Sequence, residues 1–222
     1  MAESKSRRET DAGLPRLPPG RHGLPREFVI ENQRQRIAAG MIAVVVERGY
    51  LATTVTQVVA AAGVSRRTFY NYYSDKEEAF FDVYRQVSEF LLAAMTESGD
   101  TAKGSWATRV EARLAALLGA FEANPDLARF CLAAPPAAGG EVAATFRELL
   151  VHLVEVIGEG RPKRARQVPP AAEYGLAGGL AALILNGLDG GPEQSLGERL
   201  PEITELVLTP YLGREEAARL AR

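Results

Sequence analysis

Three helix starts crowd into the stretch from Thr54 to Glu77, and this crowding limits the fold more than any other feature of the chain. Thr54-Val-Thr-Gln57 reads as a capping box, in which the Thr hydroxyl and the Gln side chain reciprocally satisfy the unpaired N–H groups of a first turn. Ser65 caps a second start, and Ser74-Asp-Lys-Glu77 forms another box. Gly63 ends the first helix just before Ser65, since glycine readily takes the left-handed conformation that closes a helix. Each of the first two helices is therefore only about two turns long. The second is expected to reach about Tyr72.

Two short capped helices joined through Ala62-Gly63-Val64 have the layout of a helix-turn-helix. Val55, Val58, Val64 and Phe69 supply the small core that holds their angle. The second helix then offers Ser65, Arg66, Arg67, Thr68, Asn71 and Tyr72 outward. Arg pairs bidentately with guanine and Asn with adenine in the major groove, while the hydroxyls and Lys76 suit phosphates. Exposed Arg, Ser and Thr on one isolated short helix usually form nothing but a solvated face. Two capping boxes in register with the turn argue for a docking surface instead.

The flanks are helical as well. Ile37, Met41, Val44 and Val45 recur on one face from about Phe28, with Gly49 as the stop. After Ser74 come Phe80, Phe81, Val83, Tyr84 and Val87 on a longer helix. Further helices are expected from Trp106 to about Phe121, after the Asn124-Pro125-Asp126 cap, over 141–157, over 171–188 and from Pro201 to Tyr211. A basic, proline-containing loop runs from Arg161 to Pro170. No stretch alternates with period two, so the fold is expected to be all-α. The 171–188 segment is apolar on nearly every side, which predicts burial on more than one side. Its Gly175, Gly178, Gly179, Ala181 and Ala182 let another helix approach closely. The end of this helix and the Pro201–Tyr211 helix are candidates for an intersubunit four-helix bundle.

Residues 34–81 resemble the DNA-binding region of the TetR family of transcriptional regulators. The resemblance is carried by Ile37, Ala38, Ala39, Gly49, Thr53-Thr54-Val55, Val58, Ala62-Gly63-Val64-Ser65, Thr68-Phe69-Tyr70, Tyr73, Lys76-Glu77 and Phe80. It implies that Thr54 contacts phosphate from the start of the second helix and that Thr56 faces a base. It implies that Thr68 and Tyr70 clamp the backbone, that Lys76 binds phosphate, and that Arg66, Arg67 and Asn71 set sequence preference. Two positions depart from the family pattern: Tyr72 stands where a phosphate-contacting His is frequent, and Val59 replaces a common Ala. The resemblance further implies a rear helical domain that dimerises and binds a ligand. The chain then divides into an arm (1–25), a helix-turn-helix domain (26–73) and a ligand-binding and dimerisation domain (74–222).

Charge agrees with DNA at one end only. Residues 1–85 hold 13 Lys/Arg against 10 Asp/Glu, whereas residues 86–222 hold 13 against 18. The arm is polar, carries Pro15, Pro18, Pro19 and Pro25, and is expected to be disordered. Either it is a solvated tail or it lies along DNA as homeodomain arms do. With Cys131 as the single cysteine and only His22 and His152 as histidines, neither a disulfide, a metal site nor a cofactor is expected. No apolar run long enough for a membrane span and no signal peptide are read, so the expected location is cytoplasmic. An enzyme built on a Cys131–His152 pair is the first rival; fast alkylation of Cys131 at neutral pH would mark it.

The partners expected are double-stranded operator DNA, a second copy of the chain and a small hydrophobic or weakly polar effector. Trp106, Phe121, Phe130, Phe146 and Tyr174 are candidates to line an effector pocket with Asn186 as its polar anchor. Aromatic residues at helical spacing are more often plain core. The second rival is a DNA-binding architectural protein of the same fold with no effector.

Overall fold

The computed structural model describes residues 25–189 and 195–221; the expected arm, up to residue 24, lies outside the described residues. Among those described, every regular element is helical. They are α1 (Arg26–Arg48), α2 (Val55–Ala62), α3 (Arg66–Tyr70), α4 (Lys76–Thr101), α5 (Trp106–Ala123), α6 (Pro125–Ala128), α7 (Ala134–Ala138), α8 (Gly140–Gly158), α9 (Pro170–Asp189), α10 (Leu200–Leu212) and α11 (Arg214–Leu220). A π-helical turn, Arg129–Ala133, joins α6 to α7, and a 3-10 turn, Gly197–Arg199, precedes α10. The chain forms two compact units that divide between Val83 and Tyr84, with α4 running across the division.

In the first unit α1 buries the expected stripe, Ile37, Met41, Val44 and Val45. Each such aliphatic side chain gains about 1.5–3 kcal/mol on leaving water. The Gly49 N–H closes α1 on the Val45 carbonyl at 2.8 Å. The Thr54 box forms in full: Thr54 N–H donates to Gln57 Oε1 at 2.8 Å, and Gln57 N–H to Thr54 Oγ1 at 3.4 Å. Gly63 then takes φ 60°, ψ 33°, the left-handed region that penalises a Cβ, and α2 stops. Val58 and Phe69 are fully buried between the short helices, with Val55 and Val64 half-buried beside them.

Two expectations here need correction. α3 ends at Tyr70, leaving Asn71 and Tyr72 in the following turn. The Phe69 carbonyl there accepts both the Tyr72 and the Tyr73 N–H at 3.0 Å, which tightens the chain out of the helix. The third cap is displaced by one residue. Asp75 Oδ1 accepts the Glu78 N–H at 2.8 Å, while Glu78 Oε2 accepts the Ser74 N–H at 2.6 Å and the Ser74 hydroxyl at 2.7 Å. An ionised carboxylate is the stronger acceptor at a helix N-terminus, so Asp75 with Glu78 displaces Ser74 with Glu77. The two bonds from Ser74 hold the Glu78 carboxyl below its ordinary range.

In the second unit α5 buries Val110, Leu114, Leu117, Leu118 and Phe121 and packs on α10, which buries Val207 and Tyr211, while α8 buries Leu150 and Ile157. Trp106 Nε1 donates to the Ile157 carbonyl at 3.0 Å, and its ring meets Tyr211 edge-on at 5.4 Å. Arg113, only 1% exposed, leaves α5 to cap the C-terminus of α8: it donates to the Val156 and Glu159 carbonyls and pairs with Glu159 Oε2 at 2.7 Å. Asn124 precedes α6 as expected, but its side chain makes no cap bond; its carbonyl accepts the Leu127 N–H instead. The π turn, α7 and α11 were not expected from sequence.

α9 also departs from expectation. It buries one stripe only, Ala177, Leu180, Ala181 and Ile184, and leaves Tyr174, Gly175, Gly179, Ala182 and Asn186 exposed. By length and composition it would be long enough and apolar enough to cross a membrane, with mean hydropathy 1.3, contrary to the expectation that no stretch would be. Its first turn is nonetheless tied down by charge, since Glu173 Oε1 accepts from Arg161 at 2.8 Å and from the Tyr211 hydroxyl at 3.0 Å.

Candidate nucleic-acid interface

The helix-turn-helix is held from below by α1. Arg36 donates to the Gly63 carbonyl at 2.8 Å, capping the last turn of α2 where the chain reverses. Asp82 at the start of α4 accepts from Arg34 at 2.8 Å and from the Tyr73 hydroxyl at 2.8 Å. Burial first, then the bond to Asp82, pushes the Tyr73 phenol up to about 12. The turn after α3 is thus locked to α1 by a carboxylate with two donors. These braces were not read from sequence, because they join residues 27, 48 and 9 positions apart and leave no local pattern.

On this base Ser65, Arg66, Arg67, Tyr70 and Asn71 are exposed and Thr68 is half-buried. Ser65 Oγ is committed to the cap, accepting the Thr68 N–H at 3.0 Å and lying 2.8 Å from Thr68 Oγ1. Tyr70 is half exposed, its ring edge-on to the buried Phe69 at 5.4 Å. Thr54 and Thr56 are exposed on α2 and its cap. Thr54 spends its hydroxyl proton on Gln57 Oε1 at 2.8 Å. The Thr54 and Ser65 hydroxyls are therefore spent on capping, and the donors this surface offers outward are chiefly those of the exposed Arg66, Arg67 and Asn71.

Lys76 and Tyr72 are less free. Lys76 Nζ donates to the Tyr50 carbonyl at 3.0 Å and sits 4.2 Å above the Tyr50 ring, so its ammonium is placed by a cation–π contact. An ammonium has three donors, and this bond uses one. The Tyr72 hydroxyl donates to Gln33 Oε1 at 2.7 Å. Burial raises the Tyr72 phenol above its ordinary value, and the neighbouring Arg34 and Arg26 charges pull the other way.

The rear unit contains a small apolar cavity of about 20 Å³, room for little more than a single water molecule. Its wall is built from Leu91, Leu92 and Met95 of α4, Leu117 and Phe121 of α5, Leu132, Leu149, Leu150 and Leu153 of α8 and its approach, and Leu180, Ala181 and Ile184 of α9. Of the six pocket candidates the structure brings only Phe121 to this cavity. Trp106 packs on Tyr211, and Phe130 is buried beside Tyr84 with ring centroids 6.0 Å apart. Phe146 is half-buried, while Tyr174 and Asn186 are exposed on α9. The leucines that form the cavity sit at the same spacing as ordinary core, so sequence did not distinguish them.

Cys131 is buried and its thiol is pushed up to about 12, the reverse of an activated nucleophile. His152 is exposed on α8.

The fold and this surface define the class: a helix-turn-helix domain followed by a helical unit with a small apolar cavity. Residues 38–83 match the family described as bacterial regulatory proteins, tetR family. Residues 38–83 are thus similar to the DNA-binding domain of that family, and the fold of the chain is similar to those of solved TetR-family regulators. The fold is similar to the fatty acid degradation regulator FadR from Bacillus halodurans (TM-score 0.69, 18% identity, covering 78% of this chain and 97% of that one). A TetR family transcription regulator from Marinobacter aquaeolei VT8 is as similar (TM-score 0.69, 20% identity, 83% and 98% covered). So is the transcriptional regulator FadR from Bacillus subtilis, in a structure with stearoyl-CoA (TM-score 0.67, 16% identity, 79% and 98% covered). No curated protein matches the chain in sequence.

Proposed function

We propose that the protein is a DNA-binding transcription regulator, a homodimer that represses from a palindromic operator and is released by a hydrophobic effector. The observation that carries this reading is the capped α2–Gly63–α3 element with Arg66, Arg67 and Asn71 all exposed on and just after α3. Two copies of α3 about 34 Å apart would enter successive major grooves. Tyr70, Thr54, Thr68 and Lys76 would hold phosphates, Thr56 would face a base, and Arg66, Arg67 and Asn71 would read base edges. Such a protein works on cytoplasmic DNA.

The exposed Gly175, Gly179 and Ala182 of α9, with Leu206 of α10 beyond the buried stripe, support dimerisation through these two helices. The all-apolar lining of the cavity supports an effector with a hydrocarbon part, which the surrounding helices would have to part to admit. The Bacillus subtilis neighbour with stearoyl-CoA is consistent with an acyl chain. A hundredfold drop in operator affinity needs roughly 2.7 kcal/mol of difference in effector affinity between the two states. Burial of a few methylenes, at about 0.8 kcal/mol each, is sufficient.

Selection of bound fragments from genomic DNA tests the reading. A single inverted-repeat site is expected, lost on addition of long-chain acyl compounds. No enriched sequence would refute the DNA assignment. Enrichment that no apolar compound disturbs would leave an architectural protein without an effector.

A further inference from the structure

The Tyr72 hydroxyl faces the wrong way for the role its position implies. A phosphate oxygen only accepts hydrogen bonds. In the free protein, however, the Tyr72 proton points at Gln33 Oε1, 2.7 Å away on α1. Swinging the hydroxyl out alone would leave a half-buried amide oxygen without its partner.

Gln33 offers a second solution. An amide carries an acceptor at one end and two donors at the other, and a half-turn about its last side-chain bond exchanges them. With Nε2–H toward Tyr72, the amide donates to the phenolic oxygen and the O–H is released outward. The Nε2–H···Oη–H···phosphate chain then runs in one direction, and each bond polarises the next. Tyr73, the adjacent phenol, shows what Gln33 adds. Its proton goes to Asp82, an acceptor that has nothing to donate in return, so Tyr73 stays turned inward. The surroundings of Tyr72 also suit an anion, since the Arg34 and Arg26 charges act on its hydroxyl.

Resting on the DNA-binding reading, we propose that Gln33 is a positioning residue for DNA: its amide reverses on docking and converts Tyr72 into a phosphate donor. The interface thereby extends from the recognition element onto α1, through a residue outside it.

Fluorescence anisotropy with a duplex carrying the selected site tests this, each variant first being shown by thermal melting to fold. Tyr72→Phe is expected to weaken binding about tenfold, the loss of one hydrogen bond to a charged acceptor. Gln33→Leu should lose a smaller factor, since it leaves the Tyr72 hydroxyl able to donate but without the amide that aims and polarises it. The double variant should lose no more than Tyr72→Phe alone, because without the hydroxyl Gln33 has nothing to position. Gln33→Glu should bind less tightly than Gln33→Leu, since a carboxylate both traps the phenolic proton and repels phosphate. A merely structural role for Gln33 would give no such order. Tyr72→Phe binding within twofold of the parent would overturn the proposal, as would losses that multiply in the double variant. A parent chain that retains no duplex would instead remove the DNA-binding reading, and this proposal with it.

Discussion

A methyl group added at Gly99 has no room while Arg113 is in place. A Cβ there would overlap Arg113 Nε and lie 2.8 Å from its Cγ and 2.9 Å from its Cζ. Gly99 lies inside α4, where glycine costs about 1 kcal/mol relative to alanine. Without Arg113, Gly99→Ala should therefore stabilise the protein by about that amount. With Arg113 present, the guanidinium must leave the C-terminus of α8. It would give up the Val156 and Glu159 carbonyls and the ion pair with Glu159. Hydrogen bonds to a charged group contribute about 1.5–3 kcal/mol each, and the displaced head regains part of that in water, so a loss of about 3 kcal/mol is expected. Net of the helix gain, Gly99→Ala should destabilise by about 2 kcal/mol. Its sign should then reverse in an Arg113→Ala background, a coupling of about 3 kcal/mol. Urea unfolding of the four chains at one fixed protein concentration measures this. Equal effects of Gly99→Ala in both backgrounds would refute the packing argument, as would stabilisation of the parent.

Replacing Lys76 with alanine should weaken binding to all duplexes alike and reduce the salt slope by about one, measured by anisotropy across salt concentrations. Arg67→Ala or Asn71→Ala should instead relax preference at particular base pairs, by about 1–3 kcal/mol per contact in repeated selections. Leu150→Phe, at a 2% exposed position on the cavity wall, should fill the cavity and abolish release by acyl compounds while operator binding persists; full release from the variant would place the effector elsewhere. For Cys131 the folded value, about 12, lies above the ordinary 9.0, so the unfolded chain loses its proton first. Its contribution to stability is complete below about pH 9 and is lost as pH rises through 9–12. Urea midpoints from pH 8 to 11 should therefore fall less steeply for Cys131→Ala than for the parent.

Where sequence and structure agree, a local chemical requirement has only one candidate to meet it. Thr54 with Gln57, Gly63 and Ser65 each stand alone at a helix end, and the structure uses all of them. Where two candidates overlap, pattern alone is ambiguous: Ser74 with Glu77 and Asp75 with Glu78 both satisfy the three-residue spacing, and acceptor strength decides. The π turn over Arg129–Ala133 has no signature beyond apolar residues that any helix would take. α9 shows a different limit. Its apolar character all round implies burial on more than one side, yet one chain supplies a neighbour for only one of them.

The cavity and the braces under the recognition element are illegible for a common reason. A leucine facing a void and a leucine facing another side chain are the same residue at the same spacing, and only the three-dimensional arrangement separates them. Arg36 to Gly63 and Tyr72 to Gln33 likewise depend on distance in space across 27 and 39 residues of chain. Local capping fixes where α3 begins, but bonds from α1 fix where it points. A surface that reads DNA needs both. Side chains on α1 that never reach a base should therefore affect affinity as strongly as some that do, and Arg36→Ala, which frees the Gly63 carbonyl, is the direct case. It should weaken binding to every sequence while leaving base preference intact, as measured by anisotropy on matched and mismatched duplexes. A selective loss at one base pair would mean that Arg36 reads DNA itself and does not orient the helix that does.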